Sequence, residues 1–225
     1  MCGRYTLATT PEMIAHSFDI RLDSFEFLPR YNIAPSQSVA AIRADETGQR
    51  SLAMLHWGLV PHWAKDVSIG NRLINARAET VAEKPAFRQA LSRRRCLVLA
   101  SGFYEWGETP AGKVPYFMAP RSGECLAFAG LWEQWRGDDG VLESCTIITT
   151  TANATLTKVH QRMPAILTAD AQLRWLAAET PATERLKLLR PAPDDELEVR
   201  QVRRTVNNPR NEGAGLIEAV SERTD

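Results

Sequence analysis

The sequence predicts an α+β fold, a mixed and mostly antiparallel sheet with a few peripheral helices. Short apolar stretches of strand character recur between Gly- and Asp-rich turns, and only four segments carry helical periodicity. With 225 residues, 44% of them hydrophobic, the chain has ample material for one packed core, so a single domain over residues 1–225 is expected.

In chain order, Thr10-Pro11-Glu12 reads as an N-cap, a proline at the first helical position and an acidic first turn, opening a helix through Phe18. Pro29-Arg30-Tyr31-Asn32-Ile33-Ala34-Pro35 is too rich in proline for a helix or a central strand and is expected as an ordered loop. Residues 38–43 and 51–57 flank Ala44-Asp45-Glu46-Thr47-Gly48 as a hairpin. Trp57-Gly58-Leu59-Val60-Pro61-His62-Trp63 sets two tryptophans around a glycine and a proline, which suits a core corner and an exposed stacking surface equally. Local composition makes 71–80 a solvated loop and 83–94 a helix closed by the basic run Arg93-Arg94-Arg95. Residues 96–100 form a buried-type strand, broken at Ser101-Gly102. Further strands are expected at 115–119, 125–132 and 145–150, helices at 169–178 and 181–189, a late strand at 197–202 and a turn-rich tail at 206–211.

Composition narrows the function classes. The formal net charge is zero, which argues against coating nucleic acid by bulk electrostatics but permits a focused basic groove. Of 27 basic residues only five are lysines, leaving 22 arginines, whose planar fork suits phosphate. Cys2, Cys96, Cys125 and Cys145 are widely separated, so neither a disulfide framework nor a metal site is indicated, and Cys96 and Cys145 lie in apolar runs expected in the core. No cofactor motif is present. No apolar run approaches the ~20 residues of a membrane span, and no signal pattern opens the chain, so a cytoplasmic protein without membrane contact is expected.

The chemistry is expected to start at Met1-Cys2-Gly3-Arg4. Trimming of Met1 would leave Cys2 as a free 1,2-aminothiol, with an amine of ordinary pKa near ~8 and a thiol near ~8.5. An aldehyde meeting such a pair forms an imine with the amine, and the thiol then closes a thiazolidine. The competing reading is an ordinary cysteine near a frayed end. Glu105, among Phe103, Tyr104 and Trp106, is either a desolvated carboxyl suited to passing protons or a strand residue facing water. His160, in His160-Gln161-Arg162-Met163-Pro164, is a catalytic candidate or a structural histidine.

Six motifs occur together: Cys2-Gly3-Arg4, Tyr31-Asn32-Ile33-Ala34-Pro35, Trp57-Gly58-Leu59-Val60-Pro61, Asn75-Ala76-Arg77-Ala78-Glu79-Thr80, Gly102-Phe103-Tyr104-Glu105-Trp106 and His160-Gln161-Arg162-Met163-Pro164. In this order, with Val206-Asn207-Asn208-Pro209 following, they resemble the SRAP (SOS-response-associated peptidase) family. The resemblance implies a β-barrel-like sheet with a groove for single-stranded DNA, and covalent attachment to abasic sites during the DNA damage response at the nucleoid. It implies that Cys2 is the nucleophile, Asn75 holds the Cys2 backbone and the sugar, Glu105 shuttles protons and His160 assists sugar ring opening. It also implies that Arg4, Arg77 and Arg162 bind phosphates, that Trp106 stacks on a base and that Thr149 lines the DNA path. The protein is expected to be a monomer. The expected activity is of the abasic-site crosslinking or lyase type. One rival is a peptidase with Cys2 as nucleophile and its own amine or His160 as base, whose minimal reaction is removal of its own Met1. The other is a non-catalytic strand binder using Trp63, Trp106 and the arginines.

Overall fold

Alternation along each strand decides which way its side chains face, and here it sorts them onto two sheets that share one core. The computed structural model describes residues 2–21, 27–110, 112–138 and 140–220, and every structural statement below concerns these. In chain order the elements are β1 (Tyr5–Leu7), α1 (Pro11–Phe18), β2 (Arg30–Ile33), β3 (Ser38–Ala44), β4 (Arg50–Trp57), β5 (Asn75–Arg77), α2 (Arg88–Arg93), β6 (Arg95–Ala100), β7 (Gly102–Thr109) and β8 (Gly112–Pro120). Then come β9 (Leu126–Gly137), β10 (Gly140–Thr151), β11 (Arg162–Pro164), α3 (Ala169–Leu176), α4 (Ala182–Leu188) and β12 (Leu197–Gln201). None of these helices is long and apolar enough to cross a membrane.

Five strands close on themselves. β3 pairs antiparallel with β4 and β6, β6 with β9, β9 with β10, and β10 completes the ring by pairing parallel with β4 at Ser144↔His56 and Cys145↔Trp57. Closure leaves these strands few unpaired edges. The second sheet is antiparallel in the order β12-β8-β7-β1-β2. Its inner face presents Tyr5 and Phe103 to the ring, where Tyr5 meets Trp57 at 5.2 Å and Phe128 at 6.1 Å between ring centroids. Its outer face carries Tyr104 and Phe117 and is covered by the tail through Val202, Val206 and Leu216.

Several expectations hold in detail. Thr10 caps α1 by accepting from the Met13 N–H, and the β3–β4 hairpin turns through Asp45 and Gly48, whose φ of +83° favours glycine. Others need correction. The 29–35 segment is not a loop. Its prolines stand outside β2, which pairs only with β1 at the sheet edge, where a flanking proline costs no ladder bond. The 71–80 stretch contains β5, recruited by parallel pairing with β10. The 83–94 helix shrinks to Arg88–Arg93, because Pro85 disfavours helix at the residue before it, and residues 79–87 fold as successive turns. Arg95 belongs to β6 rather than to the helix end. Its buried guanidinium donates to the carbonyls of Leu91 and Ser92 and to those of Trp175, Leu176 and Ala177, gathering the C-terminal ends of α2 and α3.

The tryptophan pair divides. Trp57 is fully buried, whereas Trp63 is 52% exposed. Between them Gly58 has φ +138°, and a Cβ there would lie 2.8 Å from the Gly70 carbonyl oxygen, so two backbone segments cross with no room for a side chain. Buried Glu133 then anchors His62 through its backbone N–H at 3.2 Å and its ring at 2.9 Å.

Asn32 ties the tail to the second sheet. Its buried amide donates to the carbonyls of Val206, Asn208 and Asn211, at 3.3, 2.9 and 2.9 Å, while its oxygen accepts from Arg4 at 2.8 Å. Replacing it strands buried polar groups on both sides. Asn32→Ala should lower unfolding free energy by about 2–3 kcal/mol in urea titration, with early hydrogen exchange across residues 202–217. An unchanged midpoint would show that the tail holds itself.

Candidate active site

The leading residues are placed by the strand that follows them. β1 lies between β2 and β7, pairing Tyr5↔Phe103 and Thr6↔Gly102, and the Tyr104 N–H donates to the Arg4 carbonyl at 2.9 Å. On the other edge of β7, Gly102 lets β8 close in, since a Cβ there would sit 2.6 Å from the Met118 carbonyl oxygen. Cys2 is thereby completely buried on the inner side. Glu105, 4% exposed, faces the same side, because alternation sends Tyr104 and Trp106 outward. Of the two readings of Glu105, the strand residue facing water is not the one found: the side chain is buried.

Asn75 reaches the same point from the ring. Pairing of Asn75 with Ile147 fixes β5 against β10, and Asn75 Nδ2 donates to the Cys2 carbonyl at 2.7 Å. Its Oδ1 is buried and makes no hydrogen bond among the described residues. His160 arrives on the connection from β10 to β11. Buried Asn153 secures that connection by accepting from Leu156 N–H at 2.9 Å and donating to the carbonyls of Ala192 and Pro193 at 3.1 Å. His160 Nδ1 lies 4.0 Å from Glu105 Oε1, 3.0 Å from the Arg162 N–H and 3.2 Å from the Arg162 carbonyl oxygen. A neutral ring can accept from that N–H, and a protonated one can donate to that oxygen, so the same backbone serves both states.

Cys2, Asn75, Glu105 and His160 therefore converge from four separate segments. The DNA-contact candidates form two groups. Thr149, Arg162 and Arg77 gather where β5 and β11 flank the end of β10: Thr149 donates to the Ala76 carbonyl at 3.2 Å, Arg162 Nη2 donates to the Thr149 carbonyl at 2.7 Å, and Arg77 is exposed. Arg4 and Trp106 lie on the outer face of β7. The Arg4 guanidinium is 5.9 Å from the Trp106 ring centroid and donates to Val206 O at 2.9 Å, and Trp106 Nε1 donates to Asn207 at 2.8 Å. Sequence reasoning gave no individual role to Asn32, Asn153 or Glu79. Each stood inside or beside a recognised motif, but partners that fix its role lie tens to hundreds of residues away, as Ala192 and Pro193 do from Asn153, and leave no local signal.

Burial pushes the Cys2 thiol well above the ordinary cysteine range, and the neighbouring Glu105 charge adds to the rise, while the Arg4 backbone N–H partly offsets it. Cys96 and Cys145 are raised by the same desolvation, and Cys125 is pushed up to about 12.

The SOS response associated peptidase (SRAP) family matches residues 1–209. The chain is 44% identical to the abasic site processing protein YoaM of Bacillus subtilis, over 97% of this chain and 98% of the relative. It is 30% identical to the abasic site processing protein YedK of Escherichia coli, over 98% of this chain and all of the relative. A solved structure from Bacteroides thetaiotaomicron superposes with a TM-score of 0.89 at 24% identity, covering 98% of this chain and 100% of that one, which shows a common fold.

The raised thiols carry a pH signature. An unfolded chain releases thiol protons near ~8.5, whereas the fold keeps them, so above that pH the native state binds more protons and stability falls as pH rises. Below it the contribution is constant. Urea unfolding should be flat in this respect from pH 6 to 8 and weaken above pH 9, by up to about 1.4 kcal/mol per pH unit for each fully buried thiol. Stability unchanged at pH 10 would contradict the burial.

Proposed function

The chain belongs to the SOS response associated peptidase family, whose members include named abasic site processing proteins, and from this we propose that it attaches covalently to abasic sites in single-stranded DNA through Cys2. The observation that carries the reading is the clamp on Cys2, whose carbonyl is held by Asn75 while Glu105 and His160 stand beside it.

The sequence of steps follows from the protonation states. An abasic deoxyribose opens to an aldehyde by passing a proton from its C1 hydroxyl to its ring oxygen, a transfer His160 and Glu105 can share. With Met1 removed, the Cys2 amine adds to the aldehyde carbon, and Glu105 protonates the departing hydroxyl, so that one water leaves and an imine forms. The Cys2 S–H then adds across the C=N bond: sulfur joins carbon, and the proton ends on nitrogen. Amine attack comes first because burial keeps the thiol protonated. The same point weighs against a thiolate peptidase. The orphan Asn75 Oδ1 can accept from the amine or from a sugar hydroxyl, fixing both reactants. Arg77 and Arg162 would neutralise phosphates beside the lesion, and Trp106, backed by Arg4, would meet a flanking base.

Incubation with an abasic oligonucleotide followed by denaturing intact-mass measurement should show protein plus DNA minus one water. Cys2→Ala should leave only an imine that needs borohydride to survive denaturation. Glu105→Gln should slow both formation and reversal by about 10²-fold. No adduct from the Met1-trimmed protein would sink the reading, and unchanged rates in Glu105→Gln would remove that residue from it.

A further inference from the structure

The turn after β5 brings a carboxylate between two arginines. The Ala78 N–H donates to Thr149 O at 2.9 Å and the Thr80 N–H to Arg77 O at 3.1 Å, so residues 77–80 close a turn with Glu79 near its corner. From there the carboxylate meets Arg162 as a fork, Oε1 at 2.5 Å from Nη1 and Oε2 at 3.0 Å from Nη2. Thr149 takes the remaining capacity of Nη2, at 2.7 Å to its carbonyl and 3.3 Å to its hydroxyl. Arg77 adds its own positive field, and both arginines hold the Glu79 carboxyl below the usual carboxylate range, with the Arg162 hydrogen bonds the larger cause.

Exposure separates the two partners. The Arg162 side chain is 16% exposed and set into the wall made by β10 and β11, while Glu79 is 47% exposed on a turn. The fixed member is the cation and the accessible member is the acid. Two carboxylate oxygens spaced to fill a guanidinium fork present the same geometry as two phosphate oxygens. A strand reaching this wall finds the fork already filled.

We propose that Glu79 is a specificity-determining residue, a placeholder that occupies the Arg162 fork in the free protein and yields it to a backbone phosphate when the strand docks. The proposal rests on the reading above for two things: that Arg162 meets DNA phosphate, which the exchange requires, and that an abasic strand gains a covalent bond, which gives the exchange its bearing on specificity. The placeholder keeps Arg162 aimed before binding and makes each phosphate compete with an internal acid. That competition weakens the hold on undamaged strands, which offer no covalent bond in return.

The exchange leaves a mark in salt dependence. A phosphate neutralised by Arg162 releases a condensed cation from the DNA, but the displaced Glu79 carboxylate is left as an unpaired anion beside the strand and offsets part of that release. Anisotropy with an undamaged single-stranded oligonucleotide, across ~50 to 200 mM salt, tests this in the full chain. E79Q should bind on the order of threefold to tenfold more tightly at ~50 mM salt, with a log–log slope steeper by ~0.7. E79D should restore the wild-type slope, and E79Q should have no effect in an R162Q background. Equal or weaker binding by E79Q with an unchanged slope would overturn the proposal and make the pair a fixed strut. Adduct formation on an abasic strand is scored separately, so its absence would sink the covalent reading while the slopes still decide the role of Glu79.

Discussion

A chain end is ordinarily the part of a protein least able to keep an address, and the covalent reading proposed for this one depends on the end being held. The hold is double. β1 sits inside a sheet, between β2 and β7, so its backbone is paired on both edges, and the Cys2 carbonyl just ahead of it is taken by an amide from the other sheet. Neither sheet alone suffices: β7 supplies Glu105 and the register, and β5 supplies Asn75. The leading residue is pinned at the seam where the closed ring meets the second sheet.

That seam is also where water is excluded, and exclusion sets the chemistry. Burial makes ionisation of the Cys2 sulfur costly, so the proposed reaction would open with the amine and hold the thiol in reserve. It sharpens the hydrogen-bond requirement as well, since a buried amide oxygen such as Asn75 Oδ1 is costly without a partner and, in the proposed reaction, would gain one from a substrate donor. Beside this buried centre, charged side chains are held by partners: Arg162 by Glu79, and Arg4 by Asn32 and the tail. A formal net charge of zero is therefore compatible with local fields aimed at a phosphate backbone.

Much of the fold was legible because period-two apolar runs and turn residues are local signals. The β3–β4 hairpin, the buried strand at 96–100 and the helices α1, α3 and α4 were all expected near where they occur. What could not be read was whatever a distant partner decides. β2 and β5 are too short and too polar to declare themselves, and become strands because β1 and β10 offer edges. Arg95 looked like the end of a helix because nothing nearby shows that the carbonyls of two helix ends converge on it. In the site, Cys2, Asn75, Glu105 and His160 were named from chemistry and resemblance, but their convergence is a property of the sheet seam. Glu79 is the clearest loss: a carboxylate in a polar stretch is unremarkable until Arg162, 83 residues later, is found in its grip.

The link between Arg4 and the Val206 carbonyl spans 202 positions of the chain. Synthesis runs in chain order, so a ribosome must deliver the chain past residue 206 before that contact can form. Until then the outer layer over β7 is missing and β1 lacks its final restraint. Contacts this remote in sequence are slow to close, and they place completion of the reactive end among the last events of folding. A nascent or truncated copy thus carries the same leading residues without the setting that would make them useful.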